Sequence, residues 1–205
     1  MADKPHTLRG RTDAHESHTV RLAVSAVKAG DHQAFGALVA LFDRRIFNLC
    51  VAVLKQPERA EEVAQDAFVK AYANIARYDL ARPFYPWMAT IAVRLAQTEL
   101  RKRQREREQN EDYHAEQSLE PTLAGETPLS ALMASEQATT VWRVVSALPA
   151  AQRTATYLFY RDDMTVAETA LALGVTEGTV KTLLFRARAK LREQLSETSE
   201  EKETQ

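Results

Sequence analysis

The chain has 205 residues, of which 45% are hydrophobic and 27% are charged, and its formal net charge is −1. This length accommodates one domain or two small ones with a buried core. A single cysteine excludes an intrachain disulfide, and the balanced charge means that any contact with nucleic acid must depend on local clusters of cations.

The N-terminal residues 1–18 are predicted to form a polar, disordered tail. They lack the apolar centre of a signal peptide. The longest largely apolar run, residues 46–54, is too short to cross a bilayer. Histidines in a tail without fixed geometry cannot assemble a metal site, so no metal or cofactor is expected. These features predict a cytoplasmic protein without direct membrane insertion.

Residues 19–104 predict a first domain of four helices. Gly30 and Pro57 separate the first three, since glycine ends a helix readily and proline suits a first turn. The second helix has an unbroken apolar face with i, i+3, i+4 and i+7 spacing, formed by Phe35, Leu38, Val39, Phe42, Ile46, Leu49, Cys50 and Val53. In this face Cys50 is interpreted as a small buried apolar residue.

The third helix, predicted over residues 57–78, has an acidic outer face. The residues that define it are Glu61, Glu62, Gln65 and Asp66. Acids near a helix N-terminus offset the helix dipole, so the face could serve only stability and solubility. The alternative interpretation is a docking surface for a basic partner.

An aromatic loop, residues 78–86, precedes the fourth helix. The aromatic and cationic side chains of the loop and of the helix start are Tyr78, Arg82, Phe84, Tyr85 and Trp87. Exposed rings beside cations can stack on unpaired bases, but the same rings could plug the end of a helical bundle. The fourth helix then becomes basic, with Arg94, Arg101 and Arg103 among its cations, which suits a nucleic-acid backbone.

Residues 105–127 predict an acidic, flexible linker. Between residues 104 and 128 there are seven acids and two arginines, with little helical periodicity. A second domain is expected over residues 128–195, followed by an acidic C-terminal tail over 196–205. Because no segment alternates like a strand, the predicted fold class is all-α, with two small, independently folded helical domains.

Residues 165–192 have the pattern of a DNA-binding helix-turn-helix. Thr165 begins one helix with a capping box, and Gly174 ends it. Thr176 caps the next helix, which carries five basic residues and no acidic one over residues 178–192. This combination is typical of DNA binding, although an amphipathic hairpin with a solvated basic face has the same spacing.

The second helix of this pair presents four candidate base-reading side chains. Val180, Leu184 and Ala187 must face the domain core. The opposite side carries Lys181, Thr182, Phe185 and Arg186. Lysine and arginine can donate to guanine edges or phosphates, threonine can do either more weakly, and phenylalanine can contact a thymine methyl.

Five segments together resemble the extracytoplasmic-function class of bacterial sigma factors. They are residues 35–47 (FGALVALFDRRIF), 60–68 (AEEVAQDAF), 84–92 (FYPWMATIA), 148–153 (LPAAQR) and 178–192 (GTVKTLLFRARAKLR). The resemblance covers residues 24–193, which include both predicted domains and the linker.

The resemblance implies that the chain binds core RNA polymerase and carries it to promoter DNA. The acidic face would meet the β′ clamp helices, the aromatic loop and basic helix would capture and melt the −10 element, and the four recognition-helix residues would read the −35 element. The second domain would contact the β flap, the acidic linker would occupy the channel later taken by RNA, and an anti-sigma factor is an expected partner. Arg94 and Thr98 stand where many members have Asn and Asp, so the identity of the −10 base does not carry over.

Two other functional classes fit parts of the sequence. A two-domain helix-turn-helix repressor or activator could act without core polymerase, but it would need neither the acidic face nor the Trp87 region. An enzyme is not expected, because no Ser/His/Asp order, metal-ligand cluster or glycine-rich phosphate loop stands out. No small-molecule substrate is implied.

Overall fold

The computed structural model describes residues 12–110 and 136–203, and within them the chain is helical without strands. The α-helices of these ranges are α1 (Thr12–Lys28), α2 (Phe35–Leu54), α3 (Pro57–Asn74), α4 (Phe84–Asn110), α5 (Glu136–Ala147), α6 (Ala150–Thr156), α7 (Val166–Leu173) and α8 (Glu177–Glu203). Short 3₁₀ turns precede α2 and follow α3, and a π turn follows α6. The all-α fold class is confirmed. None of the described helices is long and apolar enough to cross a membrane.

The first domain packs α1 to α4 around the core that the apolar pattern predicts. Asp31 begins the turn before α2 by accepting hydrogen bonds from two following backbone N–H groups at 3.0 and 3.3 Å. Pro57 occupies the first turn of α3, where its missing N–H removes no helical hydrogen bond. The apolar face of α2 is buried apart from the half-buried Val39. Cys50 is a buried core residue, as predicted, and burial raises the pKa of its thiol to about 12.

The helix-turn-helix forms through the caps that the sequence predicts. The Thr165 hydroxyl accepts from the Glu168 N–H at 3.2 Å, and the Glu168 carboxylate accepts from the Thr165 N–H at 2.7 Å. Gly174 ends α7 with a φ of 69°, a left-handed conformation that glycine adopts without a Cβ clash. Thr176 accepts from the N–H of Thr179 at 3.2 Å in the first turn of α8. The turn is therefore determined by contacts between near neighbours in sequence.

The helices extend beyond three of the predicted boundaries. α1 begins at Thr12, so residues 12–18 are helical and not part of a disordered tail. α4 continues to Asn110 through residues predicted as linker, and α8 continues to Glu203 through residues predicted as tail. The segments added to α4 and α8 are rich in Glu, which favours helix. Predictions for residues 1–11, 111–135 and 204–205 lie outside the described residues.

The two domains pack against each other. α6 lies against α2, and α7 lies against α4. One hydrophobic core contains buried side chains of both domains, among them Leu49 of α2 and Leu158 of the turn after α6. The contact itself was not predicted from the sequence, because periodicity identifies an apolar face without revealing which domain covers it.

Candidate nucleic-acid and polymerase interfaces

α8 presents the predicted base-reading side chains on one exposed face. Val180, Leu184 and Ala187 are buried, as helical spacing requires. The Thr182 hydroxyl donates to the Gly178 carbonyl at 3.0 Å, and its oxygen lone pairs can still accept a hydrogen bond. Exposed on the opposite side are Lys181, Thr182, Phe185 and Arg186, with 67% of Phe185 accessible. This surface combines donors, an acceptor and an apolar ring, which are the groups that major-groove edges can engage.

The acidic face of α3 is also exposed. The four predicted residues, Glu61, Glu62, Gln65 and Asp66, all point away from the core. Arg59 lies 2.8 Å from a Glu62 carboxylate oxygen, but both side chains are largely solvated, so the pair leaves the face acidic. Val69 continues the face and is 67% exposed. Acids around an exposed apolar side chain resemble the polar rim and apolar centre of a protein interface.

The aromatic loop buries its rings, and the exposed arrangement expected for base stacking is not found. Tyr78, Phe84 and Tyr85 are only 3–4% exposed. The Phe84 ring centroid lies 5.2 Å from that of Phe42 and 5.4 Å from that of Trp87. These rings plug the end of the bundle, which was the alternative interpretation. Within this aromatic set Trp87 stays partly accessible.

Hydrogen bonds within the loop and from α1 hold the loop in one shape. The Tyr78 hydroxyl donates to the Arg82 carbonyl, and Lys28 Nζ donates to the Tyr78 carbonyl at 2.7 Å. Burial raises the pKa of Tyr78 to about 12, so the hydroxyl remains a donor at neutral pH. The Ala81 N–H donates to the Asp79 carboxylate at 2.9 Å in an Asx turn. Arg82 stays exposed at the surface of this ordered loop.

A groove of about 370 Å³ lies between α3 and α4 beside the loop. That volume falls within the range of small-molecule pockets. Its lining comprises three apolar side chains and five polar ones: Trp87, Ile91, Leu95, Lys70, Asn74, Arg77, Arg94 and Thr98. Because lysine and arginine donate without accepting, the groove suits a flat group with hydrogen-bond acceptors on its edge.

The sequence predicts only part of this groove. Trp87 and Arg94 were identified as candidates, whereas Lys70, Asn74 and Arg77 were missed. The missed residues belong to α3 and its C-terminal turn, and their position beside α4 depends on how the two helices pack. The detectable signal was the change on α3 from acidic residues to Lys70 and Arg77 within three turns.

The two basic candidates near the end of α4 differ in their surroundings. Arg101 is exposed. Arg103 is half-buried and donates to the side-chain carbonyl of Gln56, between α2 and α3. Arg101 is therefore accessible to a phosphate, and Arg103 holds α4 against the rest of the bundle.

Family models match both domains. The model for sigma-70 region 2 matches residues 38–106, and the model for sigma-70 region 4 matches residues 139–191. The first range contains the acidic face, the aromatic loop and the groove, and the second contains the helix-turn-helix.

Similar proteins cover most of the chain. It is 31% identical over 186 residues to the ECF RNA polymerase sigma factor SigW of Bacillus subtilis, which is 86% of this chain and 96% of that protein. It is 28% identical over 178 residues to the ECF RNA polymerase sigma-E factor of Escherichia coli, covering 84% and 92%. Its fold resembles that of the sigma factor RpoE from Bartonella quintana, with a TM-score of 0.61 and 23% identity over 79% of this chain and 96% of that one. The chain belongs to the sigma-70 family of RNA polymerase sigma factors, in the extracytoplasmic-function class.

Proposed function

We propose that this sigma factor binds core RNA polymerase through the acidic face of α3 and thereby places the α3–α4 groove on promoter DNA. The supporting observation is that one helix carries both features. Glu62, Asp66 and Val69 are exposed on α3, and the adjacent Lys70 and Asn74 line the groove. A basic polymerase element seated on the acidic face fixes the position of the groove, because both are on a rigid helix.

The groove is proposed to hold one unstacked base of the −10 element. A base must leave the duplex stack before its pairing edge can be read. The partly accessible Trp87 provides an apolar surface, and Arg94 and Arg77 provide donors, which favours a base with acceptor atoms on its exposed edge. Arg82 and Arg101 are exposed and suit backbone phosphates. The buried Tyr78, Phe84 and Tyr85 support the groove from within the bundle.

The recognition helix is proposed to read the −35 element. Lys181, Thr182, Phe185 and Arg186 share the exposed face of α8. Arg186 and Lys181 suit acceptors on guanine, and Phe185 suits a thymine methyl.

Regulation by an anti-sigma factor belongs to the same proposal. The Bartonella quintana RpoE structure is of a complex with the anti-sigma factor NepR. We extend that kind of partner to this chain, together with contact between its second domain and the polymerase β flap. The proposed location is the cytoplasm, and the chain is proposed to have no catalytic activity of its own.

Reversing the charge of the acidic face tests polymerase docking. In the double variant Glu62→Lys, Asp66→Lys, two acids become cations opposite a basic partner, and like charges across an interface cost several kcal/mol. We expect affinity for core polymerase to fall about 100-fold. Fluorescence titration of the labelled chain with core polymerase, without DNA, measures this change.

The matched control is Glu106→Lys, Glu108→Lys, which makes the same change in net charge on exposed residues of α4. It should bind core polymerase with nearly native affinity. Equal affinity of both double variants would refute the docking assignment and leave the acidic face a role in solubility. Retained promoter binding without any core polymerase would instead favour a helix-turn-helix regulator.

A further inference from the structure

A cavity of about 570 Å³ lies where α1, the aromatic loop and the segment leading into α7 meet. Its volume falls within the range of pockets that hold small molecules. It shares no lining residue with the α3–α4 groove, so it is a second, separate site. Neither polymerase docking nor −35 reading uses this cavity.

Three arginines line the cavity, and each comes from a different element. They are Arg21 of α1, Arg45 of α2 and Arg82 of the aromatic loop. Arg21 and Arg82 are exposed, whereas Arg45 is half-buried, so the cavity offers cations both at its opening and deeper inside. A guanidinium group donates through a planar fork that matches the oxygens of a carboxylate or a phosphate.

Two carboxylates also line the cavity, but both are already engaged within the protein. Asp162 is 3% exposed. One of its carboxylate oxygens accepts from Arg45 Nε at 3.3 Å, and the other accepts from the Tyr85 hydroxyl. The Glu168 carboxylate accepts from the N–H and the hydroxyl of Thr165 at 2.7 and 2.8 Å. Since three cations face two carboxylates, the cavity keeps an excess of positive charge.

The surroundings of the arginines favour binding of an external anion. The Arg45 guanidinium lies 3.4 Å from the centroid of the Tyr85 ring, and its Nη2 donates to the Asp162 backbone carbonyl at 2.8 Å. A ligand therefore meets a cation that is already ordered, which lowers the entropic cost of binding. Arg82 lies 3.7 Å from the Asp79 carboxylate with both side chains solvated, and such a weak pair can exchange its partner.

The rest of the cavity wall is largely apolar. Leu80 and Pro83 are exposed along the aromatic loop, and the buried Tyr85 and Met164 lie behind them. An apolar group placed against this wall gains about 25 cal/mol for each Å² that it removes from water. Binding pockets typically combine such a wall with a few polar groups that fix the ligand.

We propose that this cavity binds a small organic anion. Its carboxylate or phosphate contacts the arginines, and its apolar or aromatic body packs on the wall formed by the aromatic loop and Met164. Arg82 is also the cation proposed for the promoter backbone, so a bound anion competes with −10 DNA for this side chain. That competition rests on the proposed function, whereas binding of the anion does not.

Titration of the full chain with phenyl phosphate and with benzoate, in the absence of polymerase and DNA, tests the site. The chain is labelled with ¹³C at its methionine methyl groups. Met164 lines the cavity and Met88 does not, so NMR spectra should show a saturable shift of the Met164 methyl and no shift of the Met88 methyl. The two probes distinguish a phosphate ligand from a carboxylate ligand.

Phenol and inorganic phosphate each carry only half of the proposed chemistry. Both should bind at least about tenfold more weakly than the better aromatic anion, since each lacks either the ion contact or the apolar contact. Equal affinity for phenol would remove the role of the arginines, and equal affinity for inorganic phosphate would remove the role of the apolar wall. Either result would overturn the proposal, as would the absence of a Met164 shift with both aromatic anions.

A pair of arginine variants assigns the binding to this cavity. Arg21→Ala removes an exposed cation of the lining and should weaken binding of the better aromatic anion about tenfold, because a hydrogen bond to a charged group is lost. Arg44→Ala removes the same charge from an exposed position of α2 outside the lining and should keep native affinity. Equal affinities of the two variants would refute the site, and they would leave the docking assignment of the acidic face untouched.

Discussion

The recognition helix displays its candidate DNA-reading side chains to solvent, whereas the aromatic loop keeps three of its rings inside the first domain. The difference follows from which contacts determine each region. Caps at Thr165, Gly174 and Thr176, all within a few residues, orient α8. Partners distant in sequence, namely Phe42 on α2 and Asp162 in the second domain, enclose the loop rings. The exposure of side chains can be predicted from the sequence where residues close in sequence determine the local structure. It cannot be predicted in this way where partners distant in sequence enclose the side chains.

Truncating one phenylalanine in each region should give the largest difference in the free energy of unfolding. Phe84→Ala removes a ring that packs on Phe42, Tyr78 and Trp87, and we expect the free energy of unfolding to fall by about 3–5 kcal/mol. Phe185→Ala removes an exposed ring and should change the free energy of unfolding by less than about 0.5 kcal/mol. Urea unfolding monitored by circular dichroism measures both.

The same two variants separate structural from functional roles. Phe185→Ala should keep native stability but weaken promoter binding at the −35 element. If Phe84→Ala were as stable as the native chain, the ring would not be a bundle plug, and base stacking by the loop would again be the better interpretation.

The sequence was sufficient for the features that depend on local chemistry. The helix-turn-helix, its capping box and the exposed face with Lys181 and Arg186 follow from the helical period and cap preferences. The acidic face of α3 follows from the same period. These predictions hold because a helix exposes one side and buries the other whatever its partner is.

Features that depend on the meeting of distant elements could not be predicted in this way. Aromatic residues in a loop show no periodicity that distinguishes buried from exposed positions. Tyr78 and Tyr85 were therefore equally compatible with base stacking and with burial. Lys70 and Asn74 join the groove only because α3 packs beside α4. Asp162 and Arg153 look like ordinary surface charges in the sequence, and their burial results from contact between the domains.

At the recognition helix, Arg186→Ala should separate base reading from phosphate binding. We expect it to cost about 1–3 kcal/mol at the cognate −35 sequence and to relax base preference there. The assay is binding of the polymerase holoenzyme to promoters with single −35 substitutions at several salt concentrations.

Lys190→Ala is the matched control, since Lys190 is an exposed cation farther along the same helix. It should weaken binding to all sequences alike and lower the salt slope by about one unit. An Arg186→Ala protein with unchanged base preference would move Arg186 to the phosphate-binding class.

Two glycines of the helix-turn-helix test how far its geometry is locally determined. Gly174 has a φ of 69°, and an added Cβ there meets nothing within 4 Å, so Gly174→Ala should destabilise by about 1–2 kcal/mol through backbone strain alone. Gly178 lies in α8, where an added Cβ makes an ordinary 3.8 Å contact with Thr176 Oγ1. Gly178→Ala should therefore stabilise by about 0.5–1 kcal/mol. Unfolding in urea should show shifts of opposite sign, and shifts of one sign would mean that tertiary contacts dominate the turn.

The smallest change in the free energy of unfolding is expected from the titration of Asp162, which probes the contact between distant elements. Burial raises the pKa of this carboxyl above its ordinary value, and the attraction of Arg45, the hydrogen bond from Tyr85 and the charge of Arg161 only partly oppose the rise. Tyr157 also faces this group, and burial raises its pKa, so it stays neutral in the same range.

A carboxyl with a higher pKa in the folded protein than in the unfolded chain binds its proton more tightly when folded. The stability that this proton contributes is complete below the unfolded-state pKa and is lost as the pH rises through the raised folded-state pKa. The variant Asp162→Asn lacks this carboxyl and therefore does not titrate at this position. The free energy of unfolding of the native chain, measured relative to that of Asp162→Asn in urea, should therefore increase as the pH falls through the interval between the two pKa values. A relative decrease over that interval would mean that the ion pair with Arg45 outweighs burial, which would make the contact between the domains stronger at neutral pH than in acid.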